Sequence, residues 1–301
     1  MVTDVHWLDN GVLRLGIVPA LGGRLLSLVH GGVEAGVELL WRNPAVLGDD
    51  LRPLDGRDPV PNSGRMGDWV NYGGDKTWPA PQGWDGPEQW AGPPDPVLDS
   101  GPFSVSGLSG SAITLTSAVD PRTGLRLTRE FALGSGASYT LRLTAENCAE
   151  RRVRWALWNV TQLPGGGAVT AGLAGVRTPA VVELVAGTGN PKYTVDGETV
   201  VVPPQDVVGK LGVPDAAGWV SYGVSGVTLT LSFDVDADAE YPDAGSPLEI
   251  WLEHPLPEPI ASLGDLDPPA RIVELEVLGP LTTLAPGEKA SLTVTGTVSE
   301  R

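Results

Sequence analysis

Along most of the chain, apolar residues alternate with polar ones in short runs closed by Gly, Pro, Asn or Asp, the period of two expected of half-buried strands. Leu125-Arg126-Leu127, followed by Arg129, shows this alternation directly, and helical periodicity is nearly absent. The pattern predicts an opening hairpin of 12–18 and 24–29 around Pro19-Ala20-Leu21-Gly22-Gly23. A second pair, 113–119 and 125–133, is joined by Asp120-Pro121-Arg122-Thr123-Gly124, in which the placement of Pro and Gly favours chain reversal. The meander continues at 139–147 and 153–161, and later strands are predicted at 218–222, 227–234, 248–253, 272–278 and 290–298. Residues 181–210 give no clear pattern, and no fixed-period repeat is present. No Ser-rich or charged linker divides the sequence, so the expectation is an all-β sandwich or barrel with one domain over 1–301.

The segment 61–96 breaks this rhythm. It holds Trp69, Trp78, Trp84 and Trp90 in a Pro- and Gly-rich stretch centred on Asn71-Tyr72-Gly73-Gly74-Asp75-Lys76-Thr77-Trp78-Pro79. So much Gly and Pro argues against a helix or a central strand, and indoles are too apolar to hang loose in water. The expectation is a long functional loop folded back onto the body of the protein. Flat aromatic faces beside Asp, Lys, Asn and Gln suit the apolar faces and hydroxyl rim of a sugar, which makes carbohydrate the first ligand class. A small apolar core sealing one end of a sandwich is the alternative.

A net charge of -17 argues against nucleic acid or an anionic membrane as partner, because both require clustered Lys and Arg. Cys148 is alone, which excludes an intrachain disulfide and predicts a reducing cytoplasm, with the thiol buried and inert in a strand-like segment. The first residues lack a basic stretch followed by an apolar one, which again predicts a cytoplasmic protein. The three histidines, His6, His30 and His254, are scattered, so zinc-ligand spacing is absent, and neither a Gly-x-Ser-x-Gly elbow nor a P-loop occurs. Asp234, Asp236 and Asp238 start like a calcium loop, but Ala239 and Gly245 stand where that loop needs Gly and Glu. No metal and no organic cofactor is called for.

Two stretches carry candidate chemistry. In Ile272-Val273-Glu274-Leu275-Glu276-Val277-Leu278 the glutamates lie two apart, so both point to one face of a strand and the apolar residues to the other. If that face lines a site, burial and like charge would raise one pKa and suit a carboxylate to proton transfer; if it faces solvent, it is merely polar. Trp155-Ala156-Leu157-Trp158-Asn159-Val160-Thr161-Gln162 places amides and aromatics at a strand end, and Asn159, Thr161 and Gln162 are read together as one polar face.

These segments together resemble the galactose-mutarotase-like superfamily, which includes aldose 1-epimerases, over nearly the whole chain. The motifs are Val18-Pro19-Ala20-Leu21-Gly22-Gly23-Arg24-Leu25, Gly73-Gly74 followed by Trp78-Pro79, and Glu274 followed by Leu284-Ala285-Pro286-Gly287-Glu288. NYGGDKTWPAPQ, ALWNVTQ, AEYPDAG and VELEVLGPLTTLAPGE look like an uncharacterised bacterial branch. The resemblance implies an antiparallel β-supersandwich that binds a sugar and interconverts its anomers, with a glutamate base and a histidine acid. Glu274 matches the base, with Glu276 as fallback. Both family histidines are replaced: Tyr72 stands before the paired glycines, and Gln162-Leu163 stands where Asn-His is expected. Lys76 is then the candidate acid, with His254 as another. Asn71, Tyr72, Asp75, Trp78, Asn159, Gln162, Glu276 and His254 are the candidate sugar-binding residues. A binding or sensing module that has lost the acid is the rival reading, and a small carbohydrate is the expected partner in both.

Overall fold

The computed structural model describes residues 3–31, 36–56, 59–83 and 86–300, so Trp84 lies outside the described residues. Two large antiparallel sheets face each other. The first runs in the order His6–Asp9, Leu13–Val18, Arg24–His30, Asp75–Ala80, Val153–Pro164, Ile272–Leu278, Leu248–Glu253, Gly209–Gly212 and Val182–Ala186. Val37–Glu38 and Thr282–Leu284 pair at its margins. The second runs Thr194–Asp196, Thr199–Val202, Val169–Leu173, Ala216–Val224, Val227–Phe233, Lys289–Glu300, Ser138–Asn147, Leu125–Leu133, Ala112–Thr116 and Ser104–Leu108.

The alternating runs read from sequence form these strands, because alternation puts one row of apolar side chains into the space between the sheets. Leu15, Ile17, Leu157, Ile250 and Leu275 from the first sheet meet Leu127, Phe131, Leu143 and Val294 from the second in one core. A buried ion pair also crosses that space. Arg129 of the second sheet pairs with Asp75 of the first and donates from Nη1 to the carbonyls of Gly23 (2.8 Å) and Asp75 (3.0 Å).

Two expectations need correction. The Trp-rich segment is not all loop: Asp75–Ala80 is an interior strand, buried at every residue. It tolerates Pro79 because the proline faces Leu157 on one side, whereas the strand on its other side meets it only at Leu25 and Asp75. The missing N–H therefore removes no ladder bond from that open edge. Cys148 is half-buried and lies just past the end of the strand Ser138–Asn147 rather than inside it. The unreadable stretch 181–210 holds Val182–Ala186, Thr194–Asp196 and Thr199–Val202, and Gly209–Gly212 begins at its end; these strands are too short to show a period. Among the described residues no helix is long and apolar enough to cross a membrane.

Candidate active site

The site is built on the outer face of the first sheet, around the strands Asp75–Ala80, Val153–Pro164, Ile272–Leu278 and Leu248–Glu253. Register decides which side chains meet there. Lys76 lies opposite Val160, Trp78 opposite Trp158, Gln162 opposite Glu274, and Glu276 opposite both Val160 and Glu249. The paired glycines make this possible. Gly74 has φ +76°, and a Cβ there would stand 2.3 Å from the Leu25 carbonyl oxygen, so only glycine lets the chain enter its strand this close to its neighbour.

Glu274 is buried at the centre of this face. Its Oε1 accepts from Gln162 Nε2 at 2.6 Å and from Lys76 Nζ at 3.3 Å. Lys76 is itself only 1% exposed and lies 4.8 Å from the Trp78 ring centroid. Burial pulls the Lys76 pKa below its ordinary value, and the Glu274 carboxylate acts in the opposite direction. Beside this trio, Lys210 Nζ donates to Glu249 (2.8 Å) and Glu276 (2.7 Å), while Trp158 Nε1 also donates to Glu276 (2.7 Å). Burial opposes the Lys210 charge, but the two carboxylates outweigh it and raise the lysine's pKa. Burial likewise raises Glu249 and Glu276, with Lys210 opposing.

A cavity of about 280 Å³ opens over these residues, walled by Trp69, Trp78, Trp158 and Trp251, with Glu253, Glu274 and Lys210 among its polar walls. The indoles are held in place. Buried Asp99 accepts from Trp69 Nε1 (2.9 Å) and Trp78 Nε1 (3.2 Å) and is paired with Arg24 of the opening hairpin. Trp69 meets Trp78 edge-on at 6.1 Å, and Trp158 meets Trp78 edge-on at 5.2 Å. Glu253 is 4% exposed; its Oε2 accepts from Trp251 Nε1 at 3.1 Å, and its buried Oε1 has no partner among the described residues. Burial, with Glu274 nearby, pushes its pKa up to about 8. Glu253 therefore holds its proton at neutral pH beside a second carboxyl group, an arrangement able to give and take protons at one ligand.

The structure brings Glu274, Lys76, Trp78, Gln162 and Glu276 together, though Lys76 stands behind Glu274 rather than in the cavity wall. Asp75 and Asn159 are turned to the other face by the same period of two. There Asn159 Nδ2 and Thr161 Oγ1 donate to Asp75 Oδ2 at 2.7 and 2.6 Å, beneath the site. The expectation that Asn159, Thr161 and Gln162 share one face is therefore wrong: position 162 is one residue out of phase with 159 and 161. Tyr72 packs in a separate apolar cluster with Val18, Leu21 and Leu26, away from the cavity. His254 follows the end of its strand and is not a cavity wall; its neighbour is Asp206. Asn71 is buried in the wall of an adjoining cavity. Sequence reading missed Glu253, although Leu248-Glu249-Ile250-Trp251-Leu252-Glu253 carries the same alternation that drew attention to Glu274 and Glu276. Among the described residues no group of His, Cys, Asp and Glu is placed to hold a metal ion.

A family model described as a domain of unknown function (DUF4380) matches residues 4–298. No curated protein matches the chain. Among solved structures, it is similar to a galactose mutarotase-like protein from Lactobacillus casei ATCC 334 (15% identity, 98% of this chain and 100% of that chain, TM-score 0.61). It is also similar to the GalM/aldose epimerase homologue from C. elegans (12% identity, 99% of each chain, TM-score 0.56). A TPR-domain containing protein from Parabacteroides distasonis ATCC 8503 matches 98% of this chain with 47% of its own length (18% identity, TM-score 0.61). At these identities the likeness is one of fold: the two antiparallel sheets match the galactose mutarotase-like fold.

Proposed function

The chain belongs to the DUF4380 family, and on its mutarotase-like fold we propose that it binds an aldose in the tryptophan-walled cavity and interconverts the sugar's anomers. The observation that carries this reading is the pairing, in one cavity, of Glu274, oriented by Gln162 and Lys76, with the buried carboxyl of Glu253. Glu274 takes the proton of the anomeric hydroxyl while Glu253 gives its proton to the ring oxygen. The bond between the anomeric carbon and the ring oxygen breaks, leaving an open-chain aldehyde. Rotation of the aldehyde and reversal of both proton transfers close the ring on the other face. Lys76 acts here as a positioning residue for Glu274, since its ammonium is packed against Trp78 behind the carboxylate. Glu253 takes the place of the acid for which no histidine is at hand.

A second reading, a carbohydrate-binding module without turnover, is favoured by Tyr72 standing where the resembling family has a histidine and Gln162-Leu163 standing where it has Asn-His. One experiment separates the two: anomer exchange followed by NMR across a panel of freshly dissolved aldoses, alongside tryptophan fluorescence titration. Accelerated exchange supports the enzyme. Fluorescence change with no acceleration for any sugar supports the module.

A further inference from the structure

The cavity over Glu274 does not stand alone. A second cavity of about 200 Å³ adjoins it, and Met66, Trp69, Glu253 and Leu266 are walls of both. The first cavity falls just under the roughly 300–1,000 Å³ of ordinary ligand pockets, which suits a single sugar ring. The second has its own polar groups: Asn43, Asn71, Glu253 and Asp267. Asn71 is the telling one. It is 4% exposed, its Oδ1 accepts from the Gly73 N–H at 3.1 Å, and its buried Nδ2 has no partner among the described residues. A buried amide donor left unpaired is costly, so its retention at a cavity wall marks a place where a ligand oxygen can accept. Glu253, a wall of both cavities, likewise keeps a buried Oε1 with no partner among the described residues.

The charge of the second cavity restricts what it can hold. Among the described residues its walls include two carboxyl residues and no Lys, Arg or His, so a phosphate or carboxylate substituent would meet no counter-charge there. An uncharged, hydroxyl-rich unit fits both the Asn71 donor and the carboxyl acceptors, and the Trp69 ring offers each cavity an apolar face.

Building on the proposed anomer chemistry, we propose that the substrate is a reducing disaccharide. Its reducing ring occupies the cavity over Glu274, and its second sugar unit occupies the cavity walled by Asn71. The test is a tryptophan fluorescence titration of the full chain with maltose, cellobiose and lactose against glucose and galactose. A second titration uses Asn71→Asp, which keeps the oxygen that accepts from Gly73 and removes the free donor. At least one disaccharide is expected to bind tenfold or more tightly than its constituent monosaccharides, and Asn71→Asp to bring that ratio to within about twofold. Monosaccharides binding as tightly as every disaccharide in the wild-type protein would overturn the second subsite while leaving the sugar site standing. Absence of binding by all five sugars would overturn the sugar site itself, and the subsite with it. The wild-type comparison decides the question even if the variant fails to fold.

Discussion

Glu253 and Glu274 sit on neighbouring strands and face one cavity, yet their surroundings give them different work. Glu274 receives two donors on one oxygen, whereas Glu253 receives one indole N–H and keeps a buried oxygen without a partner among the described residues. With the Glu253 pKa pushed up to about 8, the rate of anomer exchange is predicted to fall as pH rises through that value, because the acid loses its proton. Glu253→Gln should slow exchange on the order of 10²–10⁴-fold and remove this high-pH limb from a pH–rate profile. An unchanged profile in the variant would remove Glu253 from the chemistry. The same shift bears on stability. The folded state holds a proton that the unfolded state releases above the ordinary value of 4.5, so this stabilisation is complete below 4.5 and is lost as pH rises through about 8. Chemical denaturation across that range should show wild type losing stability with rising pH more steeply than Glu253→Gln; parallel curves would contradict the burial argument.

At the scale of elements, the strand Asp75–Ala80 separates two tasks by its alternation. Lys76 and Trp78 serve the site, while Asp75 turns inward to Arg129 and joins the two sheets. Asp75→Asn leaves a buried guanidinium without its counter-charge and is expected to cost about 3–5 kcal/mol, read as a lowered denaturation midpoint. A loss below about 1 kcal/mol would mean that the pair does not tie the sheets together. This strand also shows where sequence reading stops. The alternating strands were legible because one face of each is buried and the other is not. Asp75–Ala80 is buried on both faces and interrupted by Pro79, so neither periodicity nor propensity marks it, and its place follows from pairing with the distant strand Val153–Pro164. Glu274 and Glu276 were legible as a polar row in an apolar strand. Which face of the sheet became the cavity was not, since that depends on the Trp69 segment and the Leu266 region closing over it. For the same reason Asp75 and Asn159, local in sequence to Lys76, Trp78 and Gln162, read as cavity residues in the sequence but lie beneath the cavity.

Across the whole molecule, charge and fold narrow the ligand class. The chain carries a net charge of -17, and the two lysines near the cavity are already engaged, Lys76 with Glu274 and Lys210 with Glu249 and Glu276. A sugar phosphate is therefore predicted to bind more weakly than the corresponding free sugar in fluorescence titrations; tighter binding of the phosphate would require a cation other than the engaged Lys210, which the described cavity walls do not supply. The motifs resembling the mutarotase superfamily are widely separated in sequence, and the fold gathers Gly73-Gly74, Gln162 and Glu274 around one sheet face. The central claim is that Glu274 removes the anomeric proton, and polarimetry of a freshly dissolved reducing sugar with wild type and with Glu274→Gln tests it most directly. The account predicts acceleration by wild type and a loss on the order of 10²–10⁴-fold in the variant. Equal acceleration by both proteins would contradict it.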